Sequence, residues 1–126
     1  MISLLAREHT DIRTLLGDVQ RALADPATPS STWRGLFAQI ADEVHTHFAL
    51  EEQSLYGPLL RDEAFRQDAV DRVTEHGRAR IRLARVRERF LAPDVESMRA
   101  EFRAWHAGMR THLQREEALF RRMLDG

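Results

Sequence analysis

The 126-residue sequence contains no cysteine and no lysine. Without cysteine the chain has no disulfide, no thiolate metal site and no cysteine nucleophile, so any metal must be bound through nitrogen and oxygen. All 19 basic residues are arginine, and 20 acidic residues balance them. The bulk charge therefore gives no reason to expect nucleic acid or an anionic membrane as a partner.

Long apolar runs are also missing. The first residues, "MISLLAREHT", reach Arg7 and Glu8 too early for a secretory signal. No run of about 18 apolar residues is present to span a bilayer. We therefore expect a soluble, cytoplasmic protein, and the length predicts one domain over residues 1–126.

Strand patterns are absent too, whereas a helical period runs through almost the whole chain. Residues that break helices cluster in "DPATPSS" (25–31), "YGPLLRDEAF" (56–65) and "LAPD" (91–94). They divide the chain into four amphipathic segments with short connections, and Pro58 either ends or kinks the second. The prediction is an all-α fold, an antiparallel up-down-up-down four-helix bundle.

Polar side chains interrupt the apolar faces of all four predicted helices. "HTHFALEE" and "HLQREE" each place a histidine four residues before a glutamate on one helix face. The first and third helices contribute one histidine each, preceded by glutamate in "REH" and "TEH". The six side chains on the apolar faces are His9, His47, Glu51, His76, His112 and Glu116. Counting from the turns at 1.5 Å per residue predicts that all six lie in one layer.

A buried layer of this composition is typical of a metal site. Burying two carboxylates without a cation costs several kcal/mol each, although His-Glu hydrogen bonds in a metal-free bundle could offset part of that cost. Nitrogen and oxygen ligands suit iron, manganese or zinc, and paired carboxylates can bridge two ions about 3.5–4 Å apart. The ferritin-like bundles use Glu-x-x-His, whereas here the order is reversed and the spacing is four.

The pattern of His, HxxxE, His and HxxxE on four helices resembles the hemerythrin-like family, also called HHE cation-binding domains. The resemblance covers essentially the whole chain, with "HFALEEQSLYGPLL" and "HLQREEALF" as specific matches. It implies a centre of two non-haem iron ions. The implied ligands are His9 and His47 for one iron, His76 and His112 for the other, and Glu51 and Glu116 as bridges.

This chain departs from the oxygen-carrying members of the family. They place a further histidine four residues after the one in the third helix, where this chain has Arg80, and they end with an aspartate bridge at a spacing of five. The resemblance therefore implies binding of or reaction with dioxygen, peroxide or nitric oxide at an open iron, with catalase-like disproportionation as the enzymatic version. The alternatives are an iron or oxygen sensor, whose protein partner is unknown, and a metal-free helical interaction bundle.

Three further residues are candidates for supporting the centre. Glu52 and Glu117 could orient an imidazole N–H on a neighbouring helix, but Glu117 could instead pair with Arg121. Tyr56 could donate a hydrogen bond toward bound oxygen species, or it could lie half-buried at a helix boundary. Arg80 is expected to point to solvent or to pair with an acid, as part of an arginine-rich, solvated face of the third helix. His45 and His106 are expected outside the layer.

Overall fold

The computed structural model describes residues 1–91 and 94–125, and these form helices and turns with no strand. We label the four long helices α1 (Ile2–Ala24), α2 (Ser30–Glu51), α3 (Arg66–Leu91) and α4 (Val95–Asp125). The predicted break at 91–94 lies partly outside the described residues, and Asp94 caps α4 by accepting the backbone N–H of Ser97 at 3.1 Å. The predicted all-α fold is confirmed.

Neighbouring helices run in opposite directions. Residues near the start of one helix contact residues near the end of the next. Residues further along the first helix contact residues nearer the start of the second. These contacts are Trp33 with Phe90 and Phe48 with His76 between α2 and α3, and Asp68 with Arg122 and Glu75 with Arg115 between α3 and α4. The bundle is therefore antiparallel along these two interfaces, as the short connections predict.

The core consists of two apolar clusters. The larger fills the part of the bundle that contains the α1–α2 turn, and includes Ile12, Phe37 and Trp105. The smaller lies near the opposite end, and includes Leu5 and Phe120. On each helix the repeat of three and four residues passes from one cluster to the other through the predicted polar positions. None of the helices in residues 1–91 and 94–125 is both long and apolar enough to cross a membrane.

The end of α2 contains a π turn. After Glu51 the chain widens into this turn over Glu52–Tyr56 and then makes one more α-helical turn, Gly57–Leu59. The Gly57 N–H donates to the Glu52 carbonyl, and a Cβ on Gly57 would lie only 3.0 Å from that oxygen. Pro58 lacks an N–H and crowds the preceding turn. The helix therefore continues past Pro58 by widening rather than ending there, and the extra residue rotates Tyr56 toward the interior.

Candidate metal centre

The structure brings all six predicted side chains together in one buried layer. His112 is the most exposed of them, at 3% of its surface. Their ligand atoms form two groups, and within each group all atoms lie within 4.8 Å of one another. One group is His9, His47, Glu51 and Glu116, and the other is Glu51, His76, His112 and Glu116. Both glutamates belong to both groups, which is the arrangement expected of two bridging carboxylates.

Each glutamate contacts imidazoles of both groups, and its Oε1 lies between one imidazole from each. Glu51 Oε1 is 3.2 Å from both His47 Nε2 and His76 Nε2. Glu116 Oε1 is 3.1 Å from both His9 Nε2 and His112 Nε2. All four histidines therefore direct Nε2 to the centre of the layer, where the carboxylates lie between them.

The other ring nitrogen of every histidine contacts an outer glutamate. Each of these glutamates is adjacent in sequence to a residue of the layer, and it contacts the imidazole of the next helix, so that the ring closes from α4 back to α1. The pairs are Glu8 with His47 at 2.6 Å, Glu52 with His76 at 3.0 Å, Glu75 with His112 at 2.6 Å and Glu117 with His9 at 2.9 Å. A carboxylate only accepts, so each Nδ1 carries the proton and donates it to this bond. The ring thereby fixes the tautomer that presents Nε2 inward.

Sequence reasoning identified half of this ring. Glu52 and Glu117 lie where an imidazole-orienting role requires, and the alternative pair of Glu117 with Arg121 does not form among the described residues. Glu8 and Glu75 were missed as functional residues. The two "EH" dipeptides were the available signal, because each places a glutamate immediately before a histidine of the layer.

Arginines bind three of the four outer glutamates. Arg13 donates two hydrogen bonds to Glu117, at 2.6 and 2.8 Å. Arg80 donates to Glu52 at 2.6 Å, which confirms the prediction that it pairs with an acid. Glu75 accepts from Arg115 at 2.7 Å and lies 3.1 Å from Arg72. Partial burial would raise the pKa of these three carboxyls, but the arginine and histidine hydrogen bonds outweigh it and lower each pKa below its ordinary value.

Tyr56 lies fully inside the bundle, so the half-buried position at a helix boundary is wrong. Its hydroxyl donates to Glu116 Oε2 at 2.5 Å. Burial, followed by the charges of Glu116 and Glu51, raises the pKa of Tyr56 above its ordinary value, so the hydroxyl keeps its proton. The regular helical period could not place this residue, because the π turn shifts its register.

The buried inner carboxylates of the layer require positive charge beside them. Burial would lower the histidine pKa values, but hydrogen bonds and charge from the inner glutamates raise the pKa of His9 to about 10 and that of His76 to about 9. The pKa values of His47 and His112 are raised as well. Burial would raise the pKa of Glu116, but its three histidine partners hold it well below the usual range. Without metal, protons therefore supply the positive charge that the inner carboxylates require.

Unpaired atoms test whether a metal fits. Among the described residues His47 Nε2, Glu51 Oε1, His112 Nε2 and Glu116 Oε1 are buried without a hydrogen-bond partner. They lie close to one another without the alignment of hydrogen bonds, so positive charge must lie between them, supplied either by protons on the imidazoles or by a metal ion. The donor set of imidazole nitrogen and carboxylate oxygen fits iron, manganese or zinc.

The remaining histidines lie outside the layer, as predicted. His45 is exposed and His106 is partly exposed. Burial, with nearby arginines, lowers the pKa of both. They differ in this respect from all four histidines of the layer, whose pKa values are raised.

A family model described as the hemerythrin HHE cation binding domain matches residues 1–124 of the chain. No curated protein sequence and no solved structure matches the chain.

Proposed function

Because the chain belongs to the hemerythrin HHE cation-binding domain family, we propose that it binds two iron ions and reacts with dioxygen, peroxide or nitric oxide. One observation carries the proposal: two groups of four ligand atoms share both glutamates at the centre of a buried layer. Sharing puts two ions close enough to act on one small ligand. Manganese or zinc would fit the same donors, but zinc has no redox chemistry, and we propose iron as the redox metal.

The residues of the layer would bind the ions, and the outer glutamates would orient the imidazoles. The four imidazoles would bind the ions through Nε2, and Glu51 and Glu116 would be shared by both ions. The outer glutamates keep the imidazole planes in place through Nδ1, which raises the basicity of the inward nitrogen. A bound iron pair would supply two electrons, one from each ion, and peroxide reduction requires that number. The apolar clusters on both sides of the layer exclude bulk water from this chemistry.

Two features favour a small exogenous ligand over a closed structural site. Arg80 occupies the position of the further histidine of oxygen carriers, and it binds Glu52 instead of entering the layer. The Tyr56 hydroxyl oxygen, which carries a proton, lies 2.5 Å from Glu116 Oε2. An absent imidazole leaves a coordination position for ligand, and a neighbouring hydroxyl can donate a hydrogen bond to it. Catalase-like peroxide disproportionation is the enzymatic form that we propose.

Anaerobic loading with ferrous iron tests the proposal. We expect a ratio of about two iron ions per chain, and oxo-bridge absorption bands on addition of dioxygen or peroxide, with azide then added as a ligand to the oxidised protein. His45→Ala and His106→Ala are matched controls, since they remove histidines outside the layer and should leave the ratio unchanged. Peroxide consumption by the loaded protein, measured as oxygen release, tests the enzymatic form.

The alternatives predict different results. Two bound ions without peroxide turnover would indicate a sensing or binding module, and thermal stability that rises on loading would accompany it. If the chain bound no more iron than a Glu51→Ala/Glu116→Ala variant, the proposal would be contradicted and the metal-free bundle would remain.

A further inference from the structure

A cleft opens between α3 and α4 alongside the layer and shares His112 with it. Its volume is about 530 Å³, within the range of small-molecule sites. Trp105, Met109 and His112 form its floor, and all three are buried. Ala79 and Gly108 are small wall residues that leave space between the two helices at this level. The cleft can therefore accept the apolar body of a small molecule.

The rim of the cleft is strongly basic. Arg78, Arg82 and Arg115 line it. Among the described residues neither Arg78 nor Arg82 forms an ion pair, and both are exposed. Glu75 is the only acidic residue in the lining, and it already binds Arg115 and His112. Two guanidinium groups are thus available for an anion, and they match the geometry of a carboxylate or phosphate.

The floor provides a second, independent observation. Trp105 is 1% exposed, and its Nε1–H finds no acceptor within the described part of the chain. The indole nitrogen only donates, and a buried donor without a partner is costly. The rim and the floor therefore both present hydrogen-bond donors for which the described residues provide no acceptor.

We propose that this cleft binds a small organic anion: a carboxylate or a phosphate monoester on an apolar body. The anionic group lies between Arg78 and Arg82, and the body lies over Trp105 and Met109 with an acceptor atom that meets the Trp105 Nε1–H. The cleft is not formed by the bridging glutamates, so anion binding does not depend on the proposed iron centre. A bound molecule would nevertheless lie against His112 and the Glu75–Arg115 pair that supports it.

Isothermal titration of the full chain with phenyl phosphate tests the proposal, with benzoate as the carboxylate probe. We expect saturable binding of both probes, and at least about tenfold weaker binding by phenol, which lacks the oxyanion. Inorganic phosphate, which lacks the apolar body, should also bind more weakly. Comparing phenyl phosphate with benzoate identifies which oxyanion the cleft prefers.

Charge-matched variants locate the site. Arg78→Gln/Arg82→Gln should weaken phenyl phosphate binding about tenfold or more, because two charge-assisted contacts are lost. Arg85→Gln/Arg121→Gln removes the same charge from exposed positions outside the lining and should leave binding unchanged. Equal weakening by both pairs, or no saturable binding of either probe, would overturn the proposal.

A second variant fills the cleft without removing charge. A Cβ on Gly108 meets nothing within 4 Å, so Gly108→Leu fits the helix and occupies the cleft. Gly35→Leu is the matched control, since Gly35 also has no atom within 4 Å and is exposed on α2. Loss of binding in Gly108→Leu alone is the expected result, and tight binding by a folded Gly108→Leu chain contradicts the proposed place. Iron content, measured on the same variants, separates this result from failure of the iron centre.

Discussion

The α1–α2 half and the α3–α4 half of the bundle contribute the same sequence pattern to the layer. Each half supplies a Glu-His pair, then a histidine followed four residues later by two glutamates. Each also places an arginine, Arg13 or Arg80, four residues after its first histidine, and each arginine binds an outer glutamate of another helix. The halves therefore repeat the support of the imidazoles as well as the proposed ligands.

The halves differ in what surrounds these shared residues. Three pairs of corresponding positions carry unlike side chains: Leu50 and Arg115, Phe48 and Leu113, and Tyr56 and Arg121. As a result, Glu75 has arginine partners, whereas Glu8 has none among the described residues. Phe48 stacks on His76 with ring centroids 3.9 Å apart. The comparison teaches that the layer and its outer glutamates are repeated, whereas the arginines of Glu75, the Phe48–His76 stack and the Tyr56–Glu116 hydrogen bond have no counterpart at the corresponding positions.

The largest expected effect concerns the residues that both groups share. Glu116→Ala should remove both iron ions, because it takes a ligand from each group. His47→Ala and His112→Ala each take a ligand from one group only, so each should retain about one ion per chain. Metal analysis after anaerobic loading measures this. If Glu116→Ala retained as much iron as His112→Ala, the glutamate would not bridge.

The layer itself was predictable from sequence because helices obey a fixed period. Histidine and glutamate at the apolar positions, combined with a rise of 1.5 Å per residue, placed six side chains at one height. The resemblance to the HHE family then divided them into two groups of the same composition as those that the structure brings together. The first step depends only on regular helix geometry, and the second depends on the resemblance to the family.

The remaining features depend on departures from that geometry or on contacts between helices. Tyr56 was misplaced because the π turn adds a residue to one turn of α2. Glu8 and Glu75 were missed because their partners lie on the next helix, 39 and 37 residues away in sequence. Periodicity identifies the face on which a side chain lies, but it does not identify the atom that the side chain contacts.

The second prediction concerns the metal-free protein at alkaline pH. The raised pKa values of His9 and His76 mean that their contribution to stability is fully present below about pH 6.5 and is lost as the pH rises through about 9 to 10. Glu116, with its lowered pKa, contributes above about pH 4.5 and loses its contribution in acid. We expect the free energy of unfolding to fall by a few kcal/mol between pH 6.5 and 10.

Urea denaturation of the metal-free chain at several pH values measures this fall. His9→Gln/His76→Gln should flatten the alkaline limb, whereas His45→Gln/His106→Gln should leave it unchanged. Metal-loaded protein should also lack this limb, because the ions replace the protons. An equally steep limb in the metal-loaded protein would contradict the assignment.

A moderate effect is expected for the hydrogen bond between Tyr56 and Glu116. This bond joins the two halves, and the position that corresponds to Tyr56 in the other half is Arg121. Tyr56→Phe removes the hydroxyl that binds Glu116 and leaves the buried ring in place. The free energy of unfolding of the metal-free chain should fall by about 1–3 kcal/mol, the cost of losing a hydrogen bond to a buried charged group. In a Glu116→Gln background the same change should cost less, because the charged acceptor is gone. Identical costs in both backgrounds would assign the effect to packing instead.

The smallest effect is expected from making the halves more alike. Arg72→Gln/Arg115→Gln leaves Glu75 without its arginines, as Glu8 is already. Arg115 is 55% exposed, whereas Arg72 is 14% exposed, so we expect a loss of about 1 kcal/mol in stability that comes mainly from Arg72, and less at high salt. Iron affinity should fall further in this variant than in the Arg85→Gln/Arg121→Gln control, because Glu75 then orients His112 less firmly. If iron affinity were the same in both pairs of variants, the arginines would act on the surface charge alone, and the difference between the halves would have no consequence for the centre.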